Sequence, residues 1–149
     1  MKVILRGFKP ATDAGLIFDS YPKGVYHGGL LKTDMPKKVW MVAFYEDVKR
    51  QLEECDTRIA CLEQDPDHIV GYSIISKDRE LQFVYVKELY RRKAIANLLT
   101  KNKFDRVNEK TLTKLGESIY GRNQKGSESP EKIDEQREDR SDDRAIDRD

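Results

Sequence analysis

The sequence predicts a mixed α/β (α+β) domain over residues 1–121, ordered strand, two helices, three antiparallel strands, helix. Three observations carry that expectation. From 35 to 54 apolar residues recur every third or fourth position, the period of an amphipathic helix. From 58 to 86 the period shortens to two, in three β-branched and aromatic runs parted by turn residues. Beyond Phe104 both patterns fade, so the C-terminal half reads as shortened, and 122–149 reads as a disordered charged tail.

Each element follows in order. Val3 to Phe8 alternates as a strand, and Pro10 ends it. Thr12 offers a capping hydroxyl and Asp13 a first-turn charge, which predicts a helix over Asp13–Ser20 that stops before Pro22. Lys23-Gly24 and His27-Gly28-Gly29 then mark an irregular stretch. Asp34 is placed to cap a helix over 35–54, with Pro36 in its first turn. Its apolar stripe is Trp40, Phe44, Val48 and Leu52, widened by Val39, Met41 and Ala43. Arg58–Leu62, Ile69–Ile75 and Leu81–Val86 are the three strands, turning at Asp65-Pro66-Asp67 and Lys77–Glu80. The turns are tight, so the strands form an antiparallel meander. A basic turn, Arg91-Arg92-Lys93, leads to a helix with Ile95, Leu98 and Leu99 on one face. Asp105–Thr111 is a weak strand signal and Leu112–Tyr120 a short helical one.

Charged residues make up 37% of the chain, against roughly 25% in globular proteins. The excess is uneven. From Lys125 to Asp149 there are six Lys/Arg and ten Asp/Glu, net −4, which leaves 22 basic and 17 acidic residues, net +5, in the rest. The tail's aliphatic residues are Ile133, Ala145 and Ile146, too few to offset the entropy of ordering it. Val3-Ile4-Leu5 is broken by Arg6, so no signal peptide is expected. No window approaches the roughly 18 apolar residues of a membrane span. Cys55 and Cys61 do not make a disulfide framework, and Cys61 reads as a buried reduced thiol. His27 and His68 stand apart, without metal-ligand spacing. A cytoplasmic, metal-free protein is the expectation.

The chemistry is concentrated in Val84-Tyr85-Val86-Lys87-Glu88-Leu89-Tyr90-Arg91-Arg92-Lys93-Ala94-Ile95-Ala96. This is a strand, a basic turn and a helix start. The first N–H groups of a helix lack partners and its dipole is positive there, so such an end suits a pyrophosphate. Here the chain resembles the GNAT acyltransferase superfamily, whose acyl-CoA loop reads Gln/Arg-x-x-Gly-x-Gly/Ala after the fourth strand. Arg91 matches the first position, Ala94 the first Gly and Ala96 the last. His68–Tyr72 resembles the family's third strand, and Arg6–Thr12 its opening strand and turn. The likeness covers about residues 3–103 and is nearest to small phage and bacterial members. Two features depart from the family. Ala94 stands where Gly usually is, which matters only if that position needs a positive φ. The residues after Phe104 are too few to supply the usual fifth strand, fourth helix and two further strands in full.

The resemblance implies an N-acyltransferase that passes an acetyl group from acetyl-CoA to the primary amine of a small molecule or a protein. Main-chain groups of Val84, Tyr85 and Val86 would hold the pantetheine arm, and one N–H would face the developing oxyanion. Arg91, Arg92, Lys93, Ala94, Ile95 and Ala96 would cradle the pyrophosphate. Glu80 is the candidate base and Tyr120 the candidate acid for the leaving thiolate. His68 reads as a strand-edge residue instead. Two alternatives stay open. One is a degenerate GNAT-like domain that binds a protein partner without turnover, with a homodimer formed through an open fourth-strand edge. The other is nucleic-acid backbone binding by Arg91–Lys93, Lys101, Lys103, Arg106, Lys110 and Lys114, for which no recognised motif or interleaved aromatic is present.

Overall fold

The computed structural model describes residues 2–29 and 32–128. Strand β1 is Val3–Gly7, helix α1 Pro10–Gly28, α2 Lys37–Glu54, β2 Asp56–Leu62, β3 Asp65–Ile75, β4 Glu80–Val86, α3 Ile95–Thr100, β5 Arg106–Val107 and α4 Lys114–Glu128. The strands form one sheet in the order β1-β2-β3-β4-β5. The first four pair antiparallel and β5 joins β4 in parallel. The expected mixed fold and its element order hold. Among the described residues no helix is long and apolar enough to cross a membrane.

Alternation sorts the strands onto two faces. Ile59, Cys61, Tyr72, Ile74 and Phe83 face α1 and α2, where they meet Ile17, Tyr21, Val25, Phe44 and Val48. Ala60, Val70, Leu81, Val84 and Val86 face α3 and α4, where they meet Ile95, Leu99, Phe104 and Ile119. Burying such side chains is worth roughly 1.5–3 kcal/mol each, so both layers hold to the sheet by their apolar stripes. Cys61 is buried and Cys55 half-buried, both as free thiols.

Five sequence expectations are corrected. Helix α1 does not stop before Pro22; it runs through Pro22 to Gly28 and takes in the stretch expected to be irregular. An interior proline forfeits a hydrogen bond and costs about 3 kcal/mol. Burial of Ile17, Tyr21 and Val25 along one face offsets that. Thr12 lies inside this helix; Lys9 is the N-cap, and its N–H donates to the Asp13 carboxylate at 2.7 Å. Asp34 does not cap α2, whose N-cap is Pro36 with its carbonyl accepting from Trp40 N–H at 3.0 Å. The turn after β2 falls at Glu63-Gln64, and β3 begins at Asp65, with register shifts around Cys61 taking up the extra length. Within α2 the stripe is narrower than expected, since Val39 and Ala43 face solvent.

The weak signals after Phe104 become β5 and α4. Helix α4 continues to Glu128, past the expected domain boundary at 121. The tail expected to be disordered lies, from 129 on, outside the described residues.

At Gly71 strands β3 and β4 approach closely. A Cβ there would sit 2.5 Å from the Tyr85 carbonyl oxygen, a backbone atom that cannot swing away. Gly71→Ala is expected to lower stability by about 2 kcal/mol, read by urea unfolding, through a forced separation of β3 and β4. An unchanged midpoint would mean that the strands part without strain.

Candidate functional site

The site is built around β4. Phe83 pairs with Ile74 and Leu81 with Ile75, which leaves Gln82 as the extra residue of a β-bulge. Because of the bulge, Gln82 shares a face with Phe83. Lys87 N–H donates to the Val70 carbonyl at 2.8 Å. Alternation along an antiparallel pair then turns the main-chain groups of Tyr85 toward β3 and those of Val84 and Val86 toward the opposite edge.

Strand β5 covers only the beginning of that edge, pairing Arg106 with Glu80 and Val107 with Leu81. The two strands then part. Asn108 N–H still reaches the Leu81 carbonyl at 2.9 Å, and the Thr111 hydroxyl donates to the Gln82 carbonyl at 2.5 Å. Further along, the Arg91 Nε donates to the Val86 carbonyl at 3.1 Å. Val84 lies between these ties, its N–H and C=O facing the parting. A narrow cleft of about 10 Å³ opens there, lined by Leu81–Val84, Thr111–Thr113 and Gly116. It has room for roughly one water.

Past β4 a 3-10 turn, Glu88–Tyr90, leads into the basic turn. Arg92 has φ 67° and Ala94 φ 61°, both in the left-handed region. These two residues swing the chain so that, among the described residues, the N–H groups of residues 92–97 meet no carbonyl acceptor, the first helical tie being Leu98 N–H to the Ala94 carbonyl. Ile95, buried, anchors the turn to the second core layer. Ala94 therefore does occupy a position that favours glycine. An alanine held there costs about 1–2 kcal/mol. Ala94→Gly is expected to raise stability by about 1 kcal/mol, after the entropy a glycine adds to the unfolded chain. Thermal or urea unfolding reads this; a lower midpoint would mean that the turn is not strained.

The two candidate catalytic residues do not converge. Glu80 begins β4 on the face of α1 and α2, beside Gln82. Tyr120 packs on the other face, its ring 6.3 Å from that of Phe104. The Glu80 carboxylate accepts from Gln82 Nε2 at 2.9 Å and lies 3.7 Å from Arg106 Nε. Arg106 also binds the Asp78 carboxylate, and Arg79 pairs with Asp105 at 2.9 Å. This ionic cluster pins the start of β4 to β5, so the strands part only beyond it. His68 is exposed, with Nε2 3.0 Å from the Tyr90 hydroxyl.

Sequence reasoning missed the polar chain behind Glu80. The Tyr21 hydroxyl donates to Gln51 Oε1 at 2.7 Å, Gln51 Nε2 to Gln82 Oε1 at 3.3 Å, and Gln82 Nε2 to Glu80 Oε1. Asn108 Nδ2 adds a second bond to Gln82 Oε1 at 2.7 Å. The order is fixed from both ends. A carboxylate only accepts, so Gln82 must present its amide N–H to Glu80 and its carbonyl to Gln51 and Asn108. At the other end burial pushes the Tyr21 hydroxyl up, so it keeps its proton and donates. Tyr21, Gln51 and Gln82 are all buried. One signal was present in the sequence: a glutamine inside each of two apolar stripes, Gln51 and Gln82.

An antiparallel meander, a parallel β4/β5 pair that parts, and a basic turn opening α3 define a GNAT-like fold. Among solved structures, the apo form of YjaB from Escherichia coli matches with a TM-score of 0.51 at 15% identity, over 83% of this chain and 80% of that one. YncA from Salmonella typhimurium, a putative acetyltransferase solved with acetyl-CoA, matches with a TM-score of 0.42 at 20% identity, over 66% of this chain and 59% of that one. A GNAT-family acetyltransferase from Streptococcus pneumoniae matches with a TM-score of 0.39 at 16% identity, over 66% of this chain and 62% of that one. The chain thus spans less than two thirds of the last two proteins. At 15% identity the likeness to YjaB is one of fold. No protein-family model matches the chain, and no curated protein does.

Proposed function

We propose that this domain is a GNAT-type N-acyltransferase that uses acetyl-CoA and acylates a primary amine on a small molecule or a protein. The observation that carries the reading is the parting of β4 from β5 beside Val84, one short loop before a turn whose N–H groups from 92 to 97 lack acceptors among the described residues. A strand edge followed by an anion cradle suits an extended chain that ends in phosphates.

The residues fit such a ligand at both ends. The N–H groups of Arg92 to Asn97, with the exposed Arg92 and Lys93 side chains, suit the pyrophosphate. Val84 N–H and C=O and Val86 N–H suit the amides of an extended arm. Of the three strand residues expected to hold that arm, Tyr85 is excluded, because its main chain pairs with Tyr72. The cleft is narrow, so Thr111–Thr113 must move aside for an acyl group to enter.

Acetyl-CoA, when bound, supplies an activated acetyl thioester. The amine nitrogen forms the new bond to the acetyl carbon as the carbon–sulfur bond breaks, and the amine must lose a proton. Glu80, held by Gln82 at the start of β4, would take that proton, directly or through water. The Val84 N–H is the donor available to the thioester oxygen. Tyr120 sits on the opposite face from Glu80, so reprotonation of the thiolate falls to Tyr120 or to solvent.

A thermal-shift titration with CoA and acetyl-CoA tests binding. Ligand at about a hundred times its dissociation constant should stabilise the fold by roughly 2.7 kcal/mol, a midpoint rise on the order of 10 °C. Thiol release with an amine panel then tests turnover, and Glu80→Gln is expected to lower it about 10²-fold or more. No shift and no thiol release in folded protein would remove the reading. A second reading, a partner-binding domain without turnover, draws on the small cleft and on the Arg91 tie to Val86. Binding of CoA without thiol release from any amine would favour it.

A further inference from the structure

We propose that the outer face of α2 is a self-complementary docking surface, on which a second copy of this chain packs antiparallel across a two-fold axis at Val42. Val42 is the most exposed residue of an apolar row, at 72%, with Val39 at 55%, Tyr45 at 47% and Met35 at 42%. Val39 and Tyr45 each fall three positions from Val42, so these three share one helical face, and Met35 lies just before the helix begins. Tyr45 is fixed by stacking on Phe18 of α1, ring centroids 4.5 Å apart, which extends the patch onto a second helix. The opposite face of α2 is used inside the domain, through Phe44, Val48 and Gln51.

The charges on this face identify the occupant. In an antiparallel pair related by a two-fold at Val42, each residue meets the one equally far on the other side of 42. Val42 then meets its own copy and Val39 meets Tyr45. Lys38 meets Glu46 twice. Every such pairing is apolar or opposite in charge. A parallel arrangement would instead set Lys38 on Lys38 and Glu46 on Glu46. Within the chain the α2 ion pairs join Arg50 to Asp47 and Glu54, while Lys38 and Glu46 enter none among the described residues. Two charges without partners, placed symmetrically about an exposed apolar centre, fit a second copy better than an unrelated surface. This surface lies on α2 and not on the β4 edge where sequence reasoning put dimerisation. It stands independently of acyl transfer.

Sedimentation equilibrium on the full chain, from micromolar to millimolar, tests it. The parent chain is expected to form dimers. Val42→Glu, which brings two like charges together on the axis, is expected to leave monomer. Lys38→Glu and Glu46→Lys are each expected to weaken association at least tenfold, because each creates two like-charged contacts. Mixing those two single variants is expected to restore dimer as the heterodimer, in which both contacts are again opposite in sign. That recovery also shows both variants to be folded. A parent chain that stays monomeric to millimolar overturns the proposal. So does a dimer indifferent to Val42→Glu, or one that the charge reversals weaken and mixing does not restore.

Discussion

Asp13→Ala is expected to remove about 3 kcal/mol of stability, the largest loss from any single truncation outside the apolar core. Asp13 is fully buried and Arg6 nearly so, with side-chain exposures of 0% and 13%. The guanidinium binds both carboxylate oxygens, at 2.7 and 2.8 Å. Lys9 N–H and the Thr12 hydroxyl supply two further donors, at 2.7 and 2.9 Å. Removing the carboxylate strands a guanidinium that also braces Pro66 across the start of β3, through Nε to the Pro66 carbonyl at 3.0 Å. The usual range for breaking such a pair is about 3–5 kcal/mol; the lower end applies because Arg6 keeps some access to water.

The same site sets a pH dependence. Burial alone would raise the Asp13 carboxyl, but Arg6, Lys9 N–H and the Thr12 hydroxyl outweigh it and hold the group below its usual range. A depressed native value means that the unfolded chain binds the proton first. The contribution is therefore complete above the unfolded value of about 3.9 and is lost as pH falls through the native one. Urea unfolding from pH 7 to pH 2 should show parent and Asp13→Ala converging at the acid end. Parallel curves would mean that the carboxylate contributes packing and not charge.

How much of this was legible in the sequence depends on the range of the interaction. The meander was readable because β2, β3 and β4 each alternate over several residues and their turns are short. Helix α2 was readable for the same reason, although Val39 and Ala43, which read as part of its stripe, face solvent. Periodicity gives the width of a stripe and not which flank the neighbours cover. The passage of α1 through Pro22 was not legible, because the local rule against interior proline is overridden by Tyr21 packing against Phe44 and Phe83, far along the chain. At the site, the basic turn was visible as a motif, and the sequence even posed the question that φ at Ala94 answers. The polar chain from Tyr21 to Glu80 was not visible, since its members come from α1, α2 and β4 and only the bulge at Gln82 aligns them. That bulge is a register feature, and register is set by pairing.

Gln82→Glu is expected to cost on the order of 3 kcal/mol at neutral pH and progressively less in acid. The substitution is nearly isosteric, so packing around the buried residue hardly changes. What changes is the sign of one contact. The amide Nε2 that donates to Glu80 at 2.9 Å becomes a second carboxylate oxygen. Two carboxylates at that distance, one of them buried, repel too strongly for both to ionise freely, so one of the pair retains a proton to higher pH in the folded state. Its folded value then lies above its unfolded one of about 4.3, and the folded chain binds more protons across that window. Stability must therefore fall as pH rises through the raised value and recover below it, the reverse of the Asp13 profile. Gln82→Met separates charge from hydrogen bonding. It strands Gln51 Nε2 and Asn108 Nδ2, each at about 1–3 kcal/mol, yet adds no titrating group, so its loss should not change with pH. Urea midpoints of both variants at pH 5 and pH 7.5 decide the matter. If the two variants respond to pH alike, position 82 does not touch the Glu80 carboxylate in solution, and Glu80 loses its claim to be a positioned base. If only Gln82→Glu recovers in acid, the amide of Gln82 is what holds that carboxylate at the parting of β4 and β5.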